Sequence, residues 1–258
     1  MPARLYLDAP IAADTEIDLP PGPARHVQVL RLQPGAALVL FDGRGGEFDA
    51  EVARMGRSDV RVRVGAHRDV DRELARSVTL ALGMPANERM DAVVEKATEL
   101  GAAAIVPLVC ERSVLRLHGE RAQKKQAHWR GVAVAAAEQC GRTRLPEVHA
   151  VTALAAWLRH ATDAPASVRW LLDPGDATPL SRLAESLGDE GVLLLSGPEG
   201  GFSDAERELA LAAGFVAASL GPRVLRADTA PLAALACIGT QADQAAAAPL
   251  IASVYGIN

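Results

Sequence analysis

The sequence, 258 residues long, predicts an α/β protein in two parts: a compact β-barrel over residues 1–72, then a mainly parallel sheet covered by helices over residues 73–258. Three observations carry this reading. Short runs rich in Val, Leu and Phe (4–7, 37–41, 47–53 and 60–64) are separated by turn clusters, Pro20-Pro21-Gly22-Pro23 and Asp42-Gly43-Arg44-Gly45-Gly46. In Val60-Arg61-Val62-Arg63-Val64 the strict alternation puts valines on one face and arginines on the other, as in a strand with one wet side. Beyond about residue 75, strand-like runs alternate with helical patterns, the mark of a parallel sheet with crossover helices. The charged stretch from His67 to Arg76 reads as the linker between the parts.

The second part opens with a strand over 78–82. Met90, Val93, Val94, Ala97 and Leu100 then recur at helical spacing, with Asn87 as N-cap and Gly101 as the stop. A strand over 104–109 leads to a long basic helix over about 120–139. Further strands are expected over 168–173, 192–196 and 215–220, and helices over 180–187, 204–213 and 231–244.

Hydrophobic residues make up 49% and charged residues 23% of the chain, so a folded core is expected rather than disorder. The three cysteines, Cys110, Cys140 and Cys237, form no CxxC pair and have no histidine at zinc spacing, which argues for a reducing compartment and against a structural metal. No apolar run approaches the ~20 residues of a membrane span, and the first residues lack a signal-peptide core. A cytoplasmic protein with no membrane association is therefore expected. The net charge of −5 hides an asymmetry, because residues 112–144 carry eight Lys or Arg against two acids. Such a concentration of cations can meet a phosphate backbone or simply form a solvated helix face.

The chemistry concentrates in two loops. Leu193-Leu194-Leu195-Ser196-Gly197-Pro198-Glu199-Gly200-Gly201-Phe202-Ser203-Asp204-Ala205-Glu206 reads as a buried strand, a glycine loop that permits close backbone approach to a ligand, and an S-x-x-E capping box opening a helix. This resembles a nucleotide site at the carboxyl edge of an α/β sheet, but neither GxxxxGK[ST] nor GxGxxG is present. The second loop, Leu220-Gly221-Pro222-Arg223-Val224-Leu225-Arg226-Ala227-Asp228-Thr229-Ala230, repeats the pattern, with Asp228 or Thr229 able to cap a helix that has Pro231 in its first turn. A flat heterocycle fits between two such loops, held by backbone groups and by Leu195, Leu220 and Leu225.

Gly197 to Glu206 (GPEGGFSDAE) and Leu220 to Ala236 (LGPRVLRADTAPLAALA) together resemble the RsmE family of 16S ribosomal RNA (uracil-N3) methyltransferases, in the SPOUT superfamily. His26 to Leu32, Arg89 to Gly101 with Pro107 and Glu111-Arg112-Ser113, and Ala136 to Arg142 agree with it in order along the chain. Two places depart from the pattern: Ala86-Asn87 where the family carries lysine and glycine, and Ala227-Asp228 where it carries threonine and glutamate.

The resemblance implies a PUA-like RNA-binding β-barrel over 1–72 and a SPOUT-type α/β domain over 73–258 whose C-terminal segment threads a trefoil knot. It implies S-adenosylmethionine bound by Leu195, Ser196, Gly197, Gly200, Gly201, Leu220, Gly221, Val224, Leu225, Arg226 and Thr229, and a homodimer acting on 16S ribosomal RNA or the small subunit, without a metal. Methylating N3 of uracil requires in-line positioning and loss of the N3 proton. Arg226 is the candidate to orient uracil and stabilise charge on its carbonyl oxygens, with Glu199 and Asp228 as candidate bases or positioning groups. Arg4, Arg25, His26 and Arg31 in the barrel, with Arg121, Lys124, Lys125 and Arg142 in the basic stretch, are the expected RNA contacts.

Two other classes compete. A non-catalytic RNA-binding assembly factor explains the barrel and the basic stretch but predicts no cofactor binding. A phosphate hydrolase using the GPEGG loop as an anion cradle predicts cations around that loop, and none stands between Gly197 and Asp204.

Overall fold

The computed structural model describes residues 2–57, 59–161, 167–175 and 177–246. By contacts the chain divides into two compact units, residues 1–73 with 134–145, and residues 74–133 with 146–258. Residues 134–145 belong with the first unit although sequence order places them in the second part. Residues 247–258, counted in the expected second domain, lie outside the described residues.

The first unit is built on a five-stranded sheet. Strands β1 (Ala3–Tyr6), β2 (Glu16–Asp18), β3 (Ala37–Phe41), β4 (Glu47–Met55) and β5 (Val60–Arg68) lie in the order β1-β3-β4-β5-β2. The expected alternation holds in β5: Val60, Val62 and Val64 are buried with Leu5, Leu38, Leu40 and Val52, while Arg61 and Arg63 pair with Asp18 and Glu16 across the strand partner. Two expectations need correction. The Pro20 to Pro23 cluster is not a turn but the start of helix α1 (Pro21–Val29), because proline in a first turn gives up only an N–H that has no helical acceptor. The linker is also shorter than its composition suggests, since β5 continues to Arg68.

The second unit holds a parallel sheet. Its strands are β6 (Val78–Gly83), β7 (Ala104–Val109), β8 (Glu147–Val148), β9 (Thr152–Ala153), β10 (Ser167–Leu172), β11 (Thr178–Pro179), β12 (Gly191–Ser196) and β13 (Val216–Ser219). The order is β11-β13-β10-β12-β6-β7-β8, with β9 also on β7. Alternation along the strands feeds two cores: Leu80, Leu82 and Leu194 point to one face, Ala81, Leu193 and Leu195 to the other. The first face is covered by α2 (Asn87–Glu99), the part of α3 (Gly119–Cys140) up to residue 133, α5 (Leu180–Glu185) and α7 (Thr229–Ala246), the second by α4 (Leu154–Leu158) and α6 (Asp204–Ala212). α2 is capped at Ala86 rather than Asn87 and stops at Gly101, whose φ of +90° costs glycine little. α3 is fixed to α2 through Trp129, fully buried, whose indole Nε1 donates to Asp91 at 2.9 Å.

Candidate active site

Because all strands of the second sheet run parallel, their C-terminal ends share one edge, and β12 lies between β10 and β6 where the strand order reverses. A cavity of about 510 Å³ opens at that edge. Its lining comes from the ends of β10 (171–174), β12 (196–202) and β13 (218–227), with Arg89, Arg207 and Ala230 from α2, α6 and the helix after β13.

The loop after β12 is held in place on several sides. Gly201 N–H donates to Pro198 O at 2.8 Å, closing a turn that leaves Gly201 at φ +66°. The capping box forms as the sequence predicts: Glu206 N–H donates to Ser203 Oγ and Ser203 N–H to Glu206 Oε2. The second carboxylate oxygen, Oε1, accepts Glu111 N–H at 2.7 Å, tying this loop to the one after β7. Gly83 makes room from below, since a Cβ there would lie 2.6 Å from Pro198 N. The loop after β13 turns at Gly221, φ +98°, whose N–H donates to Ser219 Oγ at 3.2 Å. Arg226 O then accepts from both Thr229 and Ala230 N–H, so the turn into α7 is closed by the Arg226 backbone rather than by an Asp228 or Thr229 side chain.

Of the residues expected to hold a cofactor, Ser196, Gly197, Gly201, Leu220, Gly221, Val224, Leu225 and Arg226 line the cavity. Leu195 does not. It is fully buried in the core beneath α4 and α6, because neighbouring strand residues face opposite sides and Ser196 takes the cavity. Gly200 also lies off the lining, against Arg112, and Thr229 starts α7 with its hydroxyl 3.4 Å from Asp228 Oδ1.

The candidate catalytic groups separate in the same way. Arg226 lines the cavity and is exposed, and among the described residues its guanidinium makes no hydrogen bond or ion pair. Glu199 lines it too, but its Oε1 accepts Ala86 N–H at 2.9 Å. Asp228 is off the lining, its Oδ2 3.9 Å from Arg89. Asp173, at the end of β10, carries no motif that marks it as a site residue. It lines the cavity with its Oδ2 accepting Arg207 Nε at 2.6 Å and its Oδ1 accepting Gly175 N–H at 2.9 Å. Burial raises its pKa, but these donors and the Arg207 charge outweigh it and hold the carboxyl below its ordinary value. The Asp173-Pro174-Gly175 turn was the available signal, and nothing in the sequence tells that β10 neighbours β12 and β13.

Two of the expected RNA contacts are buried. Arg142, its side chain 4% exposed, is paired with Glu73, and Arg4, 9% exposed, is paired with Glu47 and donates to Arg142 O at 3.1 Å. Glu47 itself is 1% exposed and also meets Arg68 at 2.8 Å and Arg72 at 3.1 Å. Arg4 thus meets a buried carboxylate and a backbone carbonyl, and Arg142 meets the carboxylate of Glu73, so both are engaged within their own unit. Arg25 and Arg31 are exposed, and His26 Nδ1 lies 3.6 Å from Glu138. Arg31 closes α1 at φ +54°, a position glycine fills more cheaply. In the second unit Arg121 and Lys124 are exposed on α3 and Lys125 is half-buried. Among the described residues no group of three His, Cys, Asp or Glu is placed to hold a metal, and no helix is long and apolar enough to cross a membrane.

Residues 72–239 match the RNA methyltransferase domain family, and residues 24–65 match the RNA methyltransferase PUA domain. The ribosomal RNA small subunit methyltransferase E of Bacillus subtilis strain 168 is 33% identical over 221 residues, covering 84% of this chain and 86% of the relative. The chain belongs to the ribosomal RNA small subunit methyltransferase E family. Another member, from Mycobacterium bovis, is 35% identical over 214 residues, covering 82% of this chain and 80% of its own. A crystal structure of the Neisseria gonorrhoeae family member, bound to S-adenosyl methionine, superposes with a TM-score of 0.85 at 30% identity, covering 93% of this chain and 98% of that one. The cavity of this family member thus lies entirely within the part matched by the methyltransferase domain.

Proposed function

We propose that this chain methylates N3 of a uridine in 16S ribosomal RNA of the small subunit, using S-adenosylmethionine. The observation that carries the proposal is the cavity at the reversal point of the parallel sheet, walled by two glycine loops in a chain of this family. The residues present fit that cofactor. The volume lies within the about 300–1,000 Å³ of small-molecule sites, Leu172, Leu220, Val224 and Leu225 supply apolar walls, and a Cβ added at Gly201 would meet nothing within 4 Å. Backbone at Gly201 and Gly221 is therefore open to close approach by a flat ring.

Ser196, Gly197, Gly201, Leu220, Gly221, Val224, Leu225 and Arg226 would hold the cofactor, and the Asp173 carboxylate is available to accept from its hydroxyl or ammonium groups. When bound, it supplies a sulfonium methyl that needs no metal for activation. Arg226 orients the uracil ring and meets the negative charge that spreads over its two carbonyl oxygens when the N3 proton leaves. Glu199 and Asp228 stand as the groups that accept the proton or position the ring. Glu199 is the better placed of the two, since it lines the cavity.

RNA is held by Arg25, His26 and Arg31 of a PUA-like barrel over 1–72 and by Arg121, Lys124 and Lys125 of α3. Keeping an arginine rather than glycine at the left-handed position 31 supports this, because the choice works against local stability. The segment from β12 through α6 and β13 to α7 is read as a trefoil knot of the SPOUT type. Its support is the path: α6 covers one face of the sheet, β13 lies beyond β10, and α7 returns to the other face. A homodimer, on the strength of the family resemblance, and a place in the cytoplasm, on the cysteine pattern and the lack of a long apolar run, complete the reading. Mapping N3-methyluridine in 16S ribosomal RNA from cells with and without this protein tests the function, and an unchanged modification map rejects it. Equilibrium dialysis with S-adenosylmethionine separates it from a non-catalytic assembly factor, which would retain none.

A further inference from the structure

Arg89 reaches the cavity from outside its glycine loops. It is the third residue of α2, where the positive end of the helix dipole works against a cation. Its charge is instead set against one carboxylate from each loop. Nη1 lies 3.7 Å from Glu199 Oε1, in the loop after β12, and Nε lies 3.9 Å from Asp228 Oδ2, in the loop after β13. Both distances exceed hydrogen-bond reach, so the attraction is one of charge, shared between two partners while the Arg89 side chain stays 43% exposed. Ala86 N–H adds a directed bond to the same Glu199 oxygen. The start of α2 is therefore the place where two loops distant in sequence are held to one element.

We propose that Arg89 is a positioning residue that ties the two loops together at the cavity and slows the departure of the cofactor. Without it, Glu199 and Asp228 lose the cation they share, and the loops separate more readily. The proposal rests on the cofactor reading above and concerns loop closure, not the chemical step.

The test uses the full chain and S-adenosylhomocysteine as probe, with its release followed by stopped flow. Arg89→Gln, which keeps side-chain length and helix propensity, is expected to release the probe about two- to fivefold faster, with an unchanged thermal midpoint, and Arg89→Lys is expected to restore most of the wild-type rate. Added potassium chloride should speed release from the wild type and leave Arg89→Gln unaffected. In a Glu199→Gln/Asp228→Asn background, Arg89→Gln should have no further effect, because the cycle isolates the coupling. A wild-type release rate in Arg89→Gln, or the same fold-change in both backgrounds, overturns the proposal. Failure of the wild type to bind the probe overturns both the cofactor reading and this inference. Binding and release as expected, without methylation of ribosomal RNA, rejects the methyl-transfer reading and leaves the tie intact.

Discussion

Gly200 is seated against Arg112: a Cβ added to it would lie 2.9 Å from Arg112 Cβ and 3.2 Å from Arg112 O, and Arg112 Nη1 donates back to Gly200 O at 3.3 Å. The glycine in this loop that looks made for a ligand is thus needed by the protein itself, so that the loop after β12 can lie on the loop after β7.

This relationship separates two glycines that the sequence treats alike. Gly200→Ala is expected to destabilise the protein by about 1–3 kcal/mol through overpacking, read as a lower urea midpoint. Gly221→Ala has room, its added Cβ coming no nearer than 4.0 Å to Arg223, and incurs about 1–2 kcal/mol of left-handed strain. It adds a methyl group to the cavity wall. Calorimetry should show S-adenosylmethionine affinity falling by at least about tenfold. Unchanged affinity would place the cofactor away from the loop after β13.

Arg226 is expected to act in the chemical step. Arg226→Lys keeps charge but loses the planar fork that meets two oxygens, so single-turnover methylation at saturating RNA and cofactor should slow by at least about tenfold, a barrier change of ~1.4 kcal/mol. A rate near wild type would leave Arg226 as a surface cation.

On α3, charge-neutral replacement of Arg121, Lys124 and Lys125 should weaken RNA binding and lower the salt slope by about one unit per lost phosphate contact. Arg142→Gln should act differently, lowering thermal stability by stranding Glu73, with the salt slope unchanged. Equal slopes for wild type and the triple variant would make this stretch a solvated face.

Glu47 predicts a pH dependence. Burial raises its pKa, but hydrogen bonds from Arg4 and Arg72 with their charges outweigh it, and the net direction is down. The folded state therefore prefers the carboxylate, and the stability it contributes is present above the ordinary carboxylate pKa and lost as pH falls through the lowered folded value. Glu47→Gln should cost about 3–5 kcal/mol at pH 7 and progressively less toward pH 3, as chemical denaturation at a series of pH values would show. A penalty independent of pH would contradict the assignment.

Periodicity and turn chemistry are local, and what depends on them was legible in the sequence alone. The valines of β5, the apolar stripe of α2 ending at Gly101, and the capping box at Ser203 and Glu206 each need only their neighbours in the chain. The motifs from Gly197 to Glu206 and from Leu220 to Ala236 likewise pointed to the family before any contact was known. Tertiary structure decided what each side chain meets. Strand order brought Asp173 to the cavity, the two-residue period of β12 turned Leu195 away from it, and a buried carboxylate claimed Arg4 from the expected RNA surface. Arg89, Glu199 and Asp228 lie more than a hundred residues apart at the extremes and meet only because a parallel sheet gathers its strand ends at one edge. Spacing along the chain carries no record of such meetings, since the sheet's strand order is fixed by packing between distant segments rather than by any one of them.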